Sequence, residues 1–223
     1  MDGYHYKKEN DKFVLYDDDE VLLTPVENNV VCTPHEELAK RLVEDINEFG
    51  LDYTNGNSLF SWQCTYLDRT VPYGYYIFRQ AMENSFLGYP DWTFNSRFLK
   101  NKRLVSILGS SSGWNERFYN MHIWLDNLSL MQLTAACCIA NAYESLNISY
   151  SLATIIHEKI GKERDDAIAE FASLVDKCGF FPELNEFGHL LQDRGILEKW
   201  PSPTIRDFKN FELYYSFDLK DIK

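Results

Sequence analysis

The sequence predicts an α+β protein, with a small strand-and-helix domain at residues 1–88 followed by a mostly helical domain at residues 89–223. Two observations lead to this prediction. Short β-type runs separated by turn residues occupy residues 13–32, and the patterns after about residue 119 are helical. Strands that come first and helices that follow, without alternation, are typical of segregated α+β folds. Gly88-Tyr89-Pro90 marks the predicted boundary, because Gly and Pro interrupt regular structure.

A β-meander is predicted between residues 13 and 32. Three consecutive Asp residues at 17–19 form its first turn, because Asp side chains bond nearby backbone groups. Thr24-Pro25 ends the returning strand, and Asn28-Asn29 turns the chain again. The predicted strands cover residues 13–16, 20–23 and 30–32.

A helix with clear end signals follows the meander. Thr33 is its predicted N-cap, Pro34 is its first residue, and Glu36 completes a capping box. Gly50 ends the helix, because glycine readily adopts the left-handed backbone found at that position. The face predicted to enter the core consists of Leu38, Leu42, Ile46 and Phe49.

The middle of the chain has no clear period. Residues 58–67 form an apolar segment of uncertain type, and residues 71–104 are rich in aromatic side chains. The aromatic residues in 73–98 are candidates for a partner-facing patch, and the alternative is that they belong to the core.

The second half is predicted to pack around a central helix at residues 129–145. This stretch is apolar or small on every face and carries no charge before Glu144, so it must be covered on several sides. Ser129 is a candidate N-cap. Further helices are predicted at residues 149–159 and 162–177, and after Pro182 and Pro203.

The chain is strongly acidic, with a formal net charge of -12 and a pI of about 4.8. Nucleic acids and anionic membranes attract basic surfaces, so neither is expected as a partner. The five cysteines are odd in number and include no CxxC pair, which indicates reduced thiols in a reducing compartment. No signal or transit pattern opens the chain, so we expect cytoplasmic location in a bacterium or the mitochondrial matrix in a eukaryote. No metal site and no cofactor are expected.

Short motifs in residues 11–68 resemble one family in their order. These are an Asp-bearing turn at Asp18, Thr24-Pro25 after the second strand, a Pro-started helix with Leu38-Ala39, and Thr65 followed by Asp68. The chain here resembles the assembly chaperones that hold the alpha subunit of the ATP synthase catalytic head. The resemblance implies a non-enzymatic protein that caps its unassembled client without a cofactor.

The second half of the chain follows the family order more loosely. The family has an Asp before a long apolar helix, and an acidic pair and a Trp-Gly further on. Here Asp126 precedes the central helix, Asp176 is followed by Lys177, and Phe187-Gly188 stands for the Trp-Gly. In the family, acidic residues near this point contribute to client binding. The resemblance therefore implies candidate partner-binding residues at Asp176, Glu183, Glu186 and Phe187. A third interpretation is a fold relative with an unrelated protein partner.

A GxSxG motif at residues 109–113 supports a competing hypothesis. It follows the strand-like run 104–108 and precedes a predicted helix, which is the context of a hydrolase nucleophile elbow. Ser111 would be the nucleophile, Asp126 or Asp176 the orienting acid, and His189 the base. However, the preceding sequence shows neither βαβ units nor an HGGG-type oxyanion segment, and Gly-Ser runs are common in loops. A loop is the favoured interpretation.

Overall fold

A computed structural model describes residues 3–51, 58–82, 91–94, 99–109, 114–177 and 205–217. A small antiparallel sheet near the N-terminus and helices in the remainder confirm the predicted α+β class. The strands are β1 (Tyr4–Glu9), β2 (Lys12–Asp17), β3 (Glu20–Val21) and β4 (Cys32–Thr33). The helices are α1 (Glu36–Phe49), α2 (Leu59–Thr65), α3 (Val71–Met82), α4 (Lys102–Ile107), α5 (Trp114–Asp126), α6 (Leu130–Tyr143), α7 (Leu146–Glu158), α8 (Gly161–Lys177) and α9 (Ile205–Ser216). Among the described residues, no helix has the length and apolar character needed to cross a membrane.

The sheet is built around β2. β1 pairs antiparallel along one of its edges, and β3 and β4 pair antiparallel with successive parts of the other edge. The meander prediction is confirmed for β2, β3 and β4. The sequence analysis does not predict β1, because its Lys and Glu residues give no apolar alternation. Lys7 and Lys8 lie over the rings of Tyr16 and Phe13, so their aliphatic stems cover apolar surface of β2.

Helix α1 packs the predicted face into the core but begins later than predicted. Leu38, Leu42 and Ile46 are fully or almost fully buried, whereas Phe49 is only partly buried. The capping-box prediction is wrong, because His35 is the N-cap and Thr33 belongs to β4. Pairing with β2 removes Thr33 from the helix start. Gly50 ends the helix with a φ of 75°, as expected.

Residues 58–82 form a continuous but irregular helical stretch. Ser58 caps α2 by accepting a hydrogen bond from the N–H of Ser61 at 3.0 Å. A π-helical turn at Tyr66–Thr70 links α2 to α3, and Gly74 interrupts α3 with a φ of 72°. The uncertain apolar segment at 58–67 is therefore mostly helical.

The prediction of a central helix is confirmed by α6. Ser129 caps α6 in a capping box with Gln132, and Glu144 ends it with a left-handed backbone. Ten of its residues are buried, on every face. The next helix begins earlier than predicted, because Ser145 is the N-cap of α7.

The α8 helix matches its prediction to within one residue, and α9 begins two residues after Pro203. The predicted helix after Pro182 lies outside the described residues.

The buried side chains of the two predicted domains belong to one continuous core. The ring of Trp62 packs edge-on against Tyr214 in α9, with 6.1 Å between the ring centroids. Thr70 and Thr134 share a buried hydrogen bond of 2.8 Å. Gly88-Tyr89-Pro90, the predicted boundary, lies outside the described residues and stays a prediction.

Candidate protein-binding surface

Residues 22–31 leave the sheet as a two-stranded ribbon between β3 and β4. The N–H of Val31 donates to the carbonyl of Leu22 at 2.9 Å, and the N–H of Thr24 donates to the carbonyl of Asn29 at 2.8 Å. Side chains alternate between the two faces of a strand. The ribbon therefore has an inner face, on which Leu22, Thr24 and Val31 are buried, and an outer face.

The outer face of the ribbon is apolar and exposed. Leu23 and Val30 lie opposite each other as a bridged pair, and they are 44% and 43% exposed. Val21 at the end of β3 and Val26 in the turn of the ribbon are exposed as well. Contiguous exposed apolar side chains on a protein surface mark candidate interaction sites.

A buried hydrogen-bond network fixes the inner face of the ribbon to the helices. Thr24 Oγ1 donates to Asp68 Oδ1 at 2.6 Å, and Asn29 Nδ2 donates to the same oxygen at 2.8 Å. Asp68 lies in the π-helical turn and is only 4% exposed, and its Oδ2 has no hydrogen-bond partner among the described residues. Two of the motif positions that carry the family resemblance, Thr24 and Asp68, are thus in direct contact.

The start of α3 carries further exposed apolar side chains. Val71, Tyr73 and Tyr76 are exposed, and Tyr76 is 83% exposed. Tyr75 points the other way, and its hydroxyl donates to the carbonyl of Leu125. The aromatic stretch therefore contributes both to the surface and to packing, and its partner-facing role stays a prediction.

Arg69 connects the ribbon with α3. Its Nη1 lies 3.5 Å from Glu27 Oε1 and 3.4 Å from the hydroxyl of Tyr73. Because both charged groups are about half exposed, the ion pair contributes at most about 1 kcal/mol. The two contacts of Arg69 link the turn of the ribbon to the start of α3. We call the exposed apolar side chains of these two linked segments the ribbon surface, which consists of Val21, Leu23, Val26, Val30, Val71, Tyr73 and Tyr76.

An acidic turn borders one end of the ribbon surface. Asp18 and Asp19 in the turn and Glu20 at the start of β3 are exposed, and none of them forms an ion pair with a described residue. Asp18 adopts a left-handed backbone with a φ of 50°, and its Oδ1 accepts a hydrogen bond from the N–H of Gly3 at 2.5 Å. Burial raises the pKa of Tyr4, and the charges of Asp17 and Asp18 raise it further. The negative potential of the turn therefore reaches the neighbouring strand.

The partner-binding residues implied by the family resemblance are described only in part. Asp176 is exposed in the last turn of α8, where partial burial raises the pKa of its carboxyl group. Glu183, Glu186 and Phe187 lie outside the described residues. Asp126 forms an ion pair with Arg79, with 2.7 Å between Asp126 Oδ1 and Arg79 Nη2.

The strand expected before the GxSxG motif is not present. Residues 102–107 form helix α4, because the side chain of Asn101 caps the N–H groups of Arg103 and Leu104. The prediction of a strand at 104–108 is therefore wrong, and the strand–turn–helix context of a nucleophile elbow is absent. Ser111 and His189 lie outside the described residues.

A partly buried arginine near Gly109, Arg117, was not predicted from the sequence. Arg117 Nε donates to Asn147 Oδ1 at 2.8 Å, and Arg117 Nη2 donates to Ser151 Oγ at 2.7 Å. Its guanidinium group lies 4.5 Å from the ring centroid of Tyr150, and burial lowers its pKa. These contacts join α5 to α7. No sequence signal distinguishes Arg117 from a surface arginine on an amphipathic helix.

Within the described ranges, no three or more His, Cys, Asp or Glu side chains are placed to hold a metal ion. Cys32, Cys64, Cys137 and Cys138 are free thiols, and burial raises the pKa of Cys64 and of Cys137 to about 12. Such thiols are protonated and unreactive at neutral pH.

Comparison with known proteins finds no match for this chain. No family model matches it, and there is no significant match among curated protein sequences or solved structures. The similarity to the ATP synthase assembly chaperones therefore rests on the order of short motifs alone.

Proposed function

We propose that this chain is a non-enzymatic assembly chaperone that covers an apolar interface of an unassembled protein subunit. The observation that carries the proposal is the ribbon surface, whose exposed aliphatic and tyrosine side chains lie on two segments that Arg69 links. Interaction surfaces commonly combine an apolar centre with a polar rim. Here Glu27, Arg69 and the acidic turn supply that rim.

The proposed client is the alpha subunit of the ATP synthase catalytic head. Its support is the resemblance in motif order, together with the contact between two of those motif positions, Thr24 and Asp68. Because their hydrogen bond anchors the ribbon, residues that define the resemblance also hold the proposed binding surface in place. The client-free chaperone keeps this surface open, and the bound client would bury it until its assembly partner replaces the chaperone.

An aggregation assay tests the ribbon surface directly. Purified alpha subunit is diluted from denaturant with and without the chain, and light scattering is followed. We expect the wild type to suppress scattering, and Leu23→Glu with Tyr76→Glu to lose most of that effect, because a buried carboxylate at the interface is costly. Ile160→Glu is the matched control, since Ile160 is 78% exposed between α7 and α8. If the wild type neither suppresses scattering nor captures the subunit, the client assignment is wrong.

Acidic residues in the last turn of α8 and beyond it in the sequence allow a second test of the same function. We propose that Asp176 and Glu186 belong to the rim that meets the client, where carboxylates form charge-assisted hydrogen bonds with Lys or Arg. Asp176→Lys with Glu186→Lys should reduce the amount of alpha subunit recovered by pull-down and leave the circular dichroism spectrum unchanged. Unchanged recovery would remove these residues from the binding surface, and recovery of an unrelated protein alone would favour a fold relative with another partner.

A further inference from the structure

Within the part of the chain that the structure describes, the strand at residues 20–24 has a free edge. In an antiparallel ladder, residues that bond across the ladder alternate with residues whose N–H and C=O groups point away from it. The N–H of Leu22 donates to the carbonyl of Leu15 at 2.9 Å, and the carbonyl of Leu22 accepts from Val31. Val21 and Leu23 therefore direct their backbone groups away from the sheet, and no described residue bonds to them.

This edge lacks the usual protection of an edge strand. Proteins commonly guard an open edge with lysine, proline or an inward charge. Here the side chains of Val21 and Leu23 are aliphatic and exposed, and Pro25 follows only after the two residues with free backbone groups. The edge thus offers two donors and two acceptors beside apolar side chains, which are the contacts that an added β-strand uses.

Charge limits which strand can be added. Asp18, Asp19 and Glu20 lie directly before Val21, the first residue with free backbone groups, and no described cation neutralises them. A strand with acidic ends would be repelled there, whereas a strand with Lys or Arg at the end over the turn would gain charge-assisted contacts. The chain as a whole has a net charge of -12, which favours a basic segment further.

We propose that the client binds by β-strand addition, with an extended apolar segment paired to the free edge of residues 20–24 and a flanking Lys or Arg over the acidic turn. This inference rests on the proposed function in one respect, namely that the molecule bound at the edge is a protein client. It does not depend on which protein the client is.

Peptide binding tests the proposal without the client. Two fluorescent peptides share a core of alternating Val and Thr. One carries Lys at both ends and the other carries Glu at both ends. Because both ends are charged, a charged residue lies over the turn whichever way the peptide strand runs. By fluorescence anisotropy at low salt, we expect the Lys-flanked peptide to bind the full chain at least about tenfold more tightly, with a smaller ratio at high salt. N-methylation of alternate core amides should weaken binding about tenfold or more, because it removes backbone donors.

Charge reversal of the turn provides the matched variant. Asp19→Lys with Glu20→Lys should reverse the peptide preference, because the turn then carries positive charge. Neither side chain bonds to a described residue to hold the turn together, so the turn should keep its shape. Asp11→Lys with Glu48→Lys changes the net charge equally at exposed positions away from the edge and should keep the wild-type preference. Circular dichroism confirms that each variant is folded.

Several results would overturn the proposal. Equal binding of the two peptides, no effect of N-methylation, or no peptide binding at all would reject strand addition. A dimer in sedimentation that Leu23→Asp dissociates would show instead that a second copy occupies the edge. If the chain captures the alpha subunit but does not discriminate between the peptides, strand addition is rejected and the proposed chaperone function stands. If it binds the peptides selectively but does not capture the alpha subunit, the edge site stands and the client assignment is rejected.

Discussion

Thr24 and Asp68 lie 44 residues apart in the sequence and share a 2.6 Å hydrogen bond. The contact is nearly excluded from solvent, since Thr24 is 1% exposed and Asp68 is 4% exposed. A buried carboxylate is retained at a cost, because its charge loses hydration. Asp68 lies in a π-helical turn, and such turns are frequent at functional sites. Both observations indicate that the buried carboxylate is kept for a functional reason. We infer that Asp68 positions the ribbon rather than only filling space.

The residue-scale prediction concerns this network. We expect Asp68→Ala to lower the free energy of unfolding by about 1–3 kcal/mol, because the Thr24 hydroxyl and the Asn29 amide lose their buried acceptor. Urea denaturation measures the loss, and exposed Asp11→Ala should change stability by less than about 0.5 kcal/mol. Thr24→Val combined with Asp68→Ala should cost less than the sum of the single changes. Strict additivity would show that the two residues do not act together.

Helices α1 and α6 illustrate two kinds of burial. In α1, Leu38, Leu42 and Ile46 recur at helical spacing, so one face is buried and the other is charged. In α6, small residues allow neighbouring elements to approach on every face. For example, Ser149 Oγ in α7 donates to the carbonyl of Ala136 at 2.9 Å. Both patterns can be recognised in the sequence, because each depends only on the spacing of apolar and small residues within one helix.

For α1, we expect Leu42→Ala to destabilise the protein by about 2–5 kcal/mol, since a fully buried leucine is replaced by a cavity. Lys40→Ala on the exposed side of the same helix is the control, and its effect should stay below about 0.5 kcal/mol. Reversible urea melts provide both values. A Leu42→Ala loss as small as the control would mean that this face of α1 is not part of the core.

For α6, the opposite change is informative. Ala136→Leu adds volume where α7 packs closely, so we expect a loss of about 1–3 kcal/mol. Asn141→Leu introduces the same side chain at an exposed position of α6 and should have little effect. Thermal and urea denaturation compare the two variants. Equal stability of both would show that space remains between α6 and α7.

At the scale of the whole molecule, contacts distant in sequence join the sheet side to the last helix. Asp45 in α1 is buried, and its carboxylate accepts a hydrogen bond from Arg206 in α9 at 2.8 Å. The guanidinium group of Arg206 lies 3.4 Å from the ring centroid of Phe49. Gln63 Oε1 accepts a hydrogen bond from the hydroxyl of Tyr214 at 2.8 Å. Helix α9 therefore stabilises elements formed more than a hundred residues earlier.

This packing predicts one cooperative unfolding transition. Far-ultraviolet circular dichroism and tryptophan fluorescence should give coincident urea curves, because no described part of the core is separate. Leu42→Ala and Phe208→Leu, on opposite sides of the predicted boundary, should shift the same midpoint. Two separate transitions, each sensitive to only one of these changes, would instead support independent domains divided near residue 88.

The sequence alone determined the features that depend on local spacing. The runs and turns of residues 13–32, the apolar face of α1 and the buried character of α6 all follow from the periodicity of neighbouring residues. The end signals were less reliable, since Thr33 has the composition of an N-cap but is drawn into β4 by pairing with β2. Likewise, β-branched residues in 104–108 favour a strand, and the cap at Asn101 and packing produce α4 instead.

Only the tertiary structure decided where the candidate surface lies. Whether Tyr73, Tyr75 or Tyr76 is exposed depends on neighbours such as Leu125, which local composition does not encode. Among the described residues, β2 and the ribbon occupy only one side of the strand at residues 20–24, which leaves its other edge free. Long-range pairing determines which edge of a strand is covered. The sequence does not show this, because a central strand and an edge strand have the same two-residue period of side chains. The physical reason is that exposure is a property of assembled elements and not of any one of them.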